Sequence, residues 1–346
     1  MIKNKRMKVS HFFGIALLFV TMSCASTNVH VAGMMVNPEG MQVATLWENG
    51  EVQFLSDGER PAFAYAVFAT RRNVYVAGFE VNARNIATAT LWINGEAHQL
   101  SDGIHPAMAR SVFVHRGDVY VTGYMLSPLN TQVVMLWKNG VPQAFTDAAS
   151  RSWDELSVFV SRNNVYVAGR ETNAQGNSVA KVWKNGVAHI LTDGTMPAAA
   201  TGVHVHNNNV FVAGWETTPR GIVGKVWKNG EVYAVIGEGT LNTWTTSISV
   251  ANGNVCVAVL SFDASQRGLA RPIMTARVWQ NGTLHDLSDG TAWTRPNDVF
   301  VRRNNVYAVG VEETQNSRIA LLWKNGTLHQ LTDGSTSAVA NGVFVR

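Results

Sequence analysis

The stretch Trp183-Lys184-Asn185-Gly186 constrains the fold of this chain most, because its pattern of Trp, a variable residue, Asn and Gly occurs seven times. The seven tryptophans are Trp47, Trp92, Trp137, Trp183, Trp227, Trp279 and Trp323. Successive copies start 44 to 52 residues apart, a period in the range of four-stranded sheet repeats rather than of helical repeats. The 346 residues therefore form an array of like units rather than two or three unrelated domains.

Each unit contains four short runs with the composition of β-strands. In the unit around Trp183 these runs cover 157–160, 164–169, 180–183 and 187–191. Turn residues separate them, and Asn-Gly is a strong hairpin signal because a type I′ turn needs positive φ at both central positions. The links are short, so neighbouring runs pair antiparallel. Seven such four-stranded units predict a β-propeller.

The two ends of the array predict how the ring closes. The array starts at Asn28 with the second strand of a unit, and it ends at 342–346 with a first strand whose successor is missing. Each end supplies what the other lacks, and pairing them removes two exposed sheet edges. We expect an all-β, seven-bladed β-propeller of four-stranded antiparallel blades, closed by the C-terminal strand, as a single domain over residues 24–346.

Residues 1–23 have the pattern of a secretory signal. Four basic residues accompany an apolar run over 12–20, which is about half of what a membrane-spanning helix needs. Cys24 follows Ser23 as in a bacterial lipoprotein, and the segment resembles a relaxed lipobox, although Met22 departs from the usual residues. We predict lipidation of Cys24 and anchoring in the bacterial cell envelope, at the outer membrane or cell surface. Simple secretion or a periplasmic location is the alternative.

Removal of this signal leaves a chain without net charge. The whole sequence has 28 basic and 24 acidic residues, and residues 1–23 hold four of the basic ones and no acidic one. The balance argues against nucleic-acid binding, which needs a clustered basic surface. Cys256 has no second cysteine for an intramolecular disulfide once Cys24 is lipidated. We expect a monomer without a cofactor that meets the membrane through its lipid anchor only.

The repeat resembles the Kelch group of propellers. The likeness rests on a second strand that ends in Gly, as in Val76-Ala77-Gly78, on a later aromatic position and on the period. It covers Asn28 to Arg346, with two departures: one Gly stands where that family has two, and Trp precedes the third hairpin. The resemblance implies an architecture, and propellers of this kind include both enzymes and binding proteins.

Functional residues are expected where strand four joins the next strand one and strand two joins strand three, because the units diverge there. A polar or amphipathic residue stands just before each innermost strand, and small residues mostly follow it. The seven are Tyr65, Arg110, Glu155 (in a copy one residue longer), Thr201, Thr246, Asn297 and Asn341. They predict a ring of donors and acceptors around a funnel; a water-filled channel mouth without a specific ligand is the alternative.

Aromatic and arginine side chains add to the same loops. The tryptophans are Trp153, Trp215, Trp244 and Trp293, and Arg295 follows the last of them. Flat aromatic rings stack on sugars and pack against peptide side chains, and arginine suits anionic groups. These residues are candidate ligand contacts; tryptophans tucked into neighbouring blades are the alternative.

Metal binding is not expected from the histidines. His98, His189, His285 and His329 occupy the same fourth-strand position in four different blades, too far apart to share one ion. The sequence also has no nucleophile elbow, P-loop or metalloprotease helix. The longest unit has its extra residues within 261–275, as a lid, a partner contact or a neutral insertion.

These observations favour a cell-envelope binding or scaffold protein that holds a glycan, peptide or protein ligand on its loop face, with no catalytic residues assigned. The alternative is a secreted carbohydrate-active hydrolase or lyase. In that alternative Asp154, Glu155 or Asp298 acts as acid or base, and Arg110 or Arg295 binds an anionic substrate.

Overall fold

The computed structural model describes residues 27–145, 156–237, 239, 241–266 and 272–346, and these form seven four-stranded antiparallel sheets. The sheets are the blades of a seven-bladed β-propeller, which confirms the predicted fold class. Blade 1 combines the last strand of the chain with the first three, and blades 2 to 7 follow in chain order.

The first and second strands of the blades form the inner half of the propeller. The first strands, from blade 1 to blade 7, are β28 (Ala338–Val345), β4 (Ala62–Ala69), β8 (Ala107–His115), β12 (Ser157–Ser161), β16 (Ala198–His206), β20 (Leu241–Ala251) and β24 (Trp293–Arg302). The second strands are β1 (Val29–Val36), β5 (Val74–Val81), β9 (Asp118–Leu126), β13 (Asn164–Thr172), β17 (Asn209–Thr218), β21 (Asn254–Asp263) and β25 (Asn305–Glu313).

The third and fourth strands form the outer half. The third strands are β2 (Gln42–Glu48), β6 (Ala87–Ile93), β10 (Gln132–Lys138), β14 (Ser178–Lys184), β18 (Gly221–Lys228), β22 (Thr275–Gln280) and β26 (Arg318–Lys324). The fourth strands are β3 (Glu51–Phe54), β7 (Glu96–Gln99), β11 (Val141–Ala144), β15 (Val187–Ile190), β19 (Glu231–Ile236), β23 (Thr283–Asp286) and β27 (Thr327–Gln330). Third strands are mostly buried between blades, whereas fourth strands are mostly exposed at the circumference.

The two faces of the disc differ in their connections. We call the face with the hairpins between strands one and two and between strands three and four the hairpin face. The opposite face, with the two-to-three and four-to-one connections, is the loop face. In the long unit, β21 runs to Asp263 and a short 3-10 helix follows at Ala264–Gln266, before residues outside the described ranges. The predicted signal and Cys24 also lie outside the described residues, and no helix within those residues has the length and apolarity to cross a membrane.

The ring closes as the sequence predicts. Strand β28 pairs antiparallel with β1, with Val345 opposite Val29, and the two ends exchange backbone hydrogen bonds between Arg346 and Asn28 at 2.9 and 3.0 Å. The innermost strand of blade 1 is therefore the last strand of the chain.

The glycine at the end of the second strand exists because two neighbours leave no room for a side chain. A Cβ atom on Gly78 would lie 1.8 Å from the carbonyl oxygen of Phe63 in the first strand and 2.8 Å from the ring of Trp92 in the third. The same contacts recur at Gly33 and Gly214. The seven repeat tryptophans are at most 5% exposed, so they serve the core between blades.

The Asn-Gly pair of each repeat is a turn with a second structural role. All seven asparagines have φ between 48° and 53°, and the following glycines are also in the left-handed region. Each asparagine Oδ1 accepts a hydrogen bond of 2.8–2.9 Å from the first valine N–H of its blade's second strand, as Asn185 does from Val165. One side chain therefore both permits the turn and ties it to the inner half of the blade.

Deletion of Ser335–Arg346 tests the closure. The deletion removes β28 and leaves the inner edge of β1 unpaired, so we expect the melting temperature to fall by more than about 10 °C, or cooperative melting to disappear. Differential scanning calorimetry of the intact and truncated chains measures this. An unchanged melting temperature would show that the closing strand does not stabilise the ring.

Substitution of Asn185 separates the two roles of the turn asparagine. Asn185→Gly keeps the positive φ and loses the acceptor for Val165, which costs about 1 kcal/mol. Asn185→Ala adds left-handed strain, so its total cost should be about 2 kcal/mol. Urea unfolding measures both, with Asn163→Ala in an exposed hairpin as a control that changes stability by less than about 0.5 kcal/mol. Equal stability of the alanine and glycine variants would contradict the strain.

Candidate functional site

A β-bulge interrupts the first strand at the predicted ring position in six of the described blades. The register of the first strand against the second skips one residue there, for example between Ala64 and Ala66. The skipped residues are Tyr65, Arg110, Thr201, Thr246, Asn297 and Asn341. A bulge re-aims the side chain that it frees from the ladder, so these six residues share one orientation for a backbone reason.

The six bulge residues converge on one cavity on the propeller axis. The cavity has a volume of about 440 Å³, and small or polar side chains of the next register position, such as Ser111 and Ser247, line it deeper down. In blade 4 the register differs from the prediction by one residue: Ser157 pairs with Ala168, so Leu156 holds the ring position and lines the cavity. Glu155, the predicted seventh member, lies outside the described residues.

Aromatic side chains, with one serine among them, encircle the channel on the hairpin side of this cavity, and we call this set of residues the floor ring. It occupies the position two residues after the cavity-lining small residue in each first strand. Its members are Phe68, Phe113, Phe159, His204, Ser249, Phe300 and Phe344, and neighbouring aromatic rings have centroids 4.4–5.0 Å apart. Burial, aided by the nearby His206, lowers the pKa of His204 to about 3, so its imidazole is neutral. The cavity therefore opens to the loop face.

Three of the predicted ring donors are used between blades. Thr246 Oγ1 donates to the carbonyl of Pro296 at 3.0 Å, and Asn297 Nδ2 donates to the carbonyl of Ala340 at 2.8 Å. Asn341 Nδ2 likewise donates to the carbonyl of Ala64, across the joint between the two ends of the chain, at 2.9 Å. These amide and hydroxyl groups hold adjacent first strands together at the edge of the cavity.

Asp298 joins three blades at the wall of the cavity. Its Oδ1 accepts from Ser247 Oγ at 2.5 Å and from its neighbour Val299 N–H at 2.8 Å. Its Oδ2 accepts from the N–H of Val343, in the closing strand β28, at 2.8 Å. Loss of water around the carboxyl group raises its pKa to about 6, even though all three hydrogen bonds lower the pKa. Asp298 therefore connects the first strands of blades 6, 7 and 1, and with a pKa of about 6 its carboxyl group is half-protonated near pH 6.

One side of the cavity is an aromatic stack capped by an arginine. The guanidinium carbon of Arg110 lies 4.0 Å from the ring centroid of Tyr65, a cation–π contact. Tyr65 also contacts Phe63 and Phe79, with centroids 6.2 and 6.0 Å away, and these two rings stack on each other at 5.1 Å. The stack fixes the Arg110 guanidinium in the cavity wall.

Arg295 places a second cation in the cavity wall. Its Nε atom is buried and has no hydrogen-bond partner among the described residues. Burial and the nearby Arg318 lower its pKa, and Glu313 acts in the opposite direction. A buried N–H donor without an acceptor is costly, so the site favours an anionic or acceptor group from a ligand.

The predicted tryptophans do not line the cavity. Trp215 lies under the guanidinium of Arg170 from the preceding blade, 5.8 Å from its ring centroid, and Trp244 stacks on Phe262 at 5.8 Å. Trp293 packs against an apolar cluster that includes Met34 of blade 1. All three are half-buried on the loop face, and Trp153 lies outside the described residues.

The described part of the site contains one carboxylate, Asp298, among the cavity-lining residues. Within the described ranges no three His, Cys, Asp or Glu side chains are grouped to hold a metal ion. The fourth-strand histidines are exposed at the circumference of separate blades. Sequence reasoning missed the floor ring, although a Phe between two valines in most first strands was its visible signal.

Comparison with known proteins supports the fold alone. No family model matches the sequence, and no curated protein matches it. A puromycin-hydrolyzing peptidase of Mycobacterium tuberculosis is similar in structure, with a TM-score of 0.58 and 10% identity over 88% of this chain. An acylaminoacyl peptidase of Pyrococcus horikoshii has a TM-score of 0.52 and 13% identity over 88% of this chain. This chain spans 51% of the length of each peptidase.

A polysaccharide lyase, Uly1, is also similar, with a TM-score of 0.47 and 10% identity over 79% of this chain and 82% of its own. At this level of identity the likeness to the two peptidases concerns the fold alone. The chemistry of the axial cavity has to be argued from its own residues.

The pKa of Asp298 predicts a pH dependence of stability. Its folded-state value of about 6 lies above the ordinary 3.8, so its protonation stabilises the fold at low pH, and this contribution is lost as pH rises through about 6. We expect the unfolding free energy of the parent to drop between pH 4.5 and 7.5 by about 1–3 kcal/mol more than that of Asp298→Asn.

The comparison uses the change with pH within each protein, because the asparagine amide also loses an acceptor and lowers stability at every pH. Asp193→Asn, in an exposed turn where hydrogen bonds from Thr195 lower the pKa, is the control and should keep the drop. An equal pH dependence in Asp298→Asn and the parent would rule out Asp298 as its source.

Proposed function

We propose that the protein is a binding propeller of the bacterial cell envelope that holds an anionic ligand in the axial cavity of its loop face. The ligand class is an acidic glycan or a peptide or protein segment that presents a carboxylate. The observation that carries the proposal is the convergence of Arg110 and Arg295, from blades 3 and 7, on one axial cavity.

The charge of the described cavity wall supports an anion. Two guanidinium groups face a single carboxylate, and that carboxylate accepts three hydrogen bonds from the protein itself. The Nε of Arg295 gains an acceptor when a ligand carboxylate or similar group binds, and Arg110 is held ready by its stack on Tyr65. Arginine binds planar anionic groups through two parallel hydrogen bonds, which gives direction as well as attraction.

The shape of the cavity supports a small ligand group rather than a long buried chain. A volume of about 440 Å³ accommodates one or two sugar rings or the end of a peptide. Tyr65 offers an aromatic side chain to such a group, and Asn297 and Asn341 add polar side chains to the lining. Three of the predicted tryptophans lie outside the cavity lining, and we propose no ligand contact inside the cavity for them. They are Trp215, Trp244 and Trp293.

Binding is favoured over hydrolysis by the state of Asp298. A hydrolase with two carboxylates needs them roughly 5–10 Å apart and free to exchange protons. Both oxygens of Asp298 are engaged in holding blades 6, 7 and 1 together. A carbohydrate-active hydrolase or lyase remains the second candidate because the pKa of Asp298, about 6, suits a general acid. It requires a partner from Asp154 or Glu155.

The cell-envelope location rests on the signal in residues 1–23 and on Cys24 as the lipidated residue. Radiolabelled palmitate incorporation that Cys24→Ser abolishes is the expected support. We further propose that the repeats are distantly Kelch-like, which concerns their architecture and not the ligand.

A ligand screen followed by paired variants tests the function. The intact chain is offered to an array of uronate-containing and sialylated oligosaccharides and of peptides with free C-terminal carboxylates, and hits are measured by isothermal titration calorimetry. For a true hit we expect Arg110→Gln with Arg295→Gln to weaken binding at least about tenfold, which is about 1.4 kcal/mol or more.

The matched control is Arg60→Gln with Arg84→Gln, which removes two exposed arginines of the same face outside the cavity. It should leave the affinity within about twofold. A hit that both double variants bind like the parent would exclude the axial cavity as the site. Release of shortened sugars during incubation, lost in Asp298→Asn, would replace binding by the hydrolase or lyase alternative.

A further inference from the structure

The hairpin face carries a concentration of positive charge that the overall balance of the chain hides. The described hairpins between strands one and two and between strands three and four hold six arginines and four lysines against five carboxylates. One of these carboxylates, Asp118, is neutralised by Lys138 at 2.9 Å. The five exposed arginines are Arg71, Arg72, Arg116, Arg162 and Arg303.

Three of these arginines occupy backbone positions that disfavour them. Arg116, Arg162 and Arg303 have φ of 53°, 57° and 55°, in the left-handed region where side chains other than those of Gly, Asn and Asp are strained. Asn207 and Asn252 fill the same turn position in blades 5 and 6 with φ of 47° and 51°. Folding alone therefore favours asparagine at all five turns. Retention of strained residues at exposed positions is typical of a surface with a function.

The chain enters the propeller on the same face. Strand β1 begins at Val29, and Asn28 pairs with Arg346 at the rim of the channel. Cys24 is only four residues before Asn28, and even a fully extended link of that length spans no more than about 14 Å. A lipid on Cys24 would therefore hold the hairpin face, not the loop face, toward the membrane.

We propose that the hairpin face docks on anionic phospholipid headgroups, with the ring of arginines and lysines against the lipid phosphates. Guanidinium groups bind phosphate through paired charge-assisted hydrogen bonds, and basic residues near an anionic bilayer add to one another. Basic residues beside a lipidation site add an electrostatic contact with anionic headgroups to the contact that the lipid itself makes. This contact extends the expectation that the anchor alone meets the membrane, and it leaves the axial cavity facing away from the bilayer.

The placement of charge favours a membrane over nucleic acid. The exposed arginines come from four separate blades around the channel and form a broad ring, not a stripe or groove that follows one phosphate backbone. A flat array of charges matches a flat array of headgroups. The inference does not depend on the ligand proposed for the cavity, which lies on the opposite face beyond the floor ring.

Vesicle binding by a chain that begins at residue 25 tests the proposal without lipid or signal. All twenty-eight strands lie within Val29–Val345, so this chain contains the whole closed ring, and its melting curve is compared with that of the full chain. The probe is vesicles of phosphatidylcholine with about one-third phosphatidylglycerol, against pure phosphatidylcholine. We expect sedimentation with the anionic vesicles only, weakened by salt.

The key variant carries Arg116→Asn, Arg162→Asn and Arg303→Asn. Asparagine suits the left-handed turn, so the variant should melt at or above the temperature of the parent, while its partition onto anionic vesicles falls at least about tenfold. The control carries Arg60→Asn, Arg84→Asn and Arg220→Asn, which removes three exposed arginines from the loop face. It should bind vesicles like the parent.

Three results would overturn the proposal. The first is a parent that ignores anionic vesicles, and the second is an equal loss in the two triple variants, which would make the effect one of net charge. The third is tighter binding of a duplex DNA fragment than of anionic vesicles at the same salt concentration, which would assign the face to nucleic acid.

Discussion

The pairing of β28 with β1 is the joint on which the whole ring depends. Six blades are each built from one continuous stretch of chain, so their integrity is local. Blade 1 is different because its innermost strand comes from the far end of the chain, across a loop closure of the full array. Side chains reinforce this joint from both sides: Asp298 binds the backbone of β28 at Val343, and Asn341 of β28 binds the backbone of blade 2 at Ala64.

The same backbone detail creates the core, the repeat signature and the cavity. The bulge in a first strand turns a carbonyl toward the second strand, and that carbonyl together with the tryptophan of the third strand excludes any Cβ at Gly78. The bulge also turns the side chain of Tyr65 toward the axis. The bulge that requires a glycine at Gly78 is therefore the same one that places Tyr65 in the candidate site.

Periodicity made the fold readable from the sequence, whereas the site was readable only in part. Seven Asn-Gly turns and the two incomplete ends determine the blade number and the closure, because each depends on local chemistry. The sequence predicted Glu155 in the ring, whereas the pairing of the strands places Leu156 there. The exact pairing of two strands cannot be read from the number of residues in the loop that precedes them. The sequence pattern also cannot tell whether a hydroxyl or amide donor binds a ligand or the carbonyl of Pro296 or Ala340, because that depends on which carbonyl the next blade presents.

Hairpins that are nearly uniform in backbone shape can still differ in a way that points to a function. The Asn-Gly hairpins have the same left-handed backbone in all seven copies, as structural turns do. The turns between strands one and two differ, because three of them have arginine at positive φ where two counterparts have asparagine. Asn207 and Asn252 show that asparagine fits this position, and a left-handed φ disfavours the arginine of the other three turns. A departure from that preference in several blades at once needs a cause outside folding, and the floor ring separates that cause from whatever the axial cavity binds.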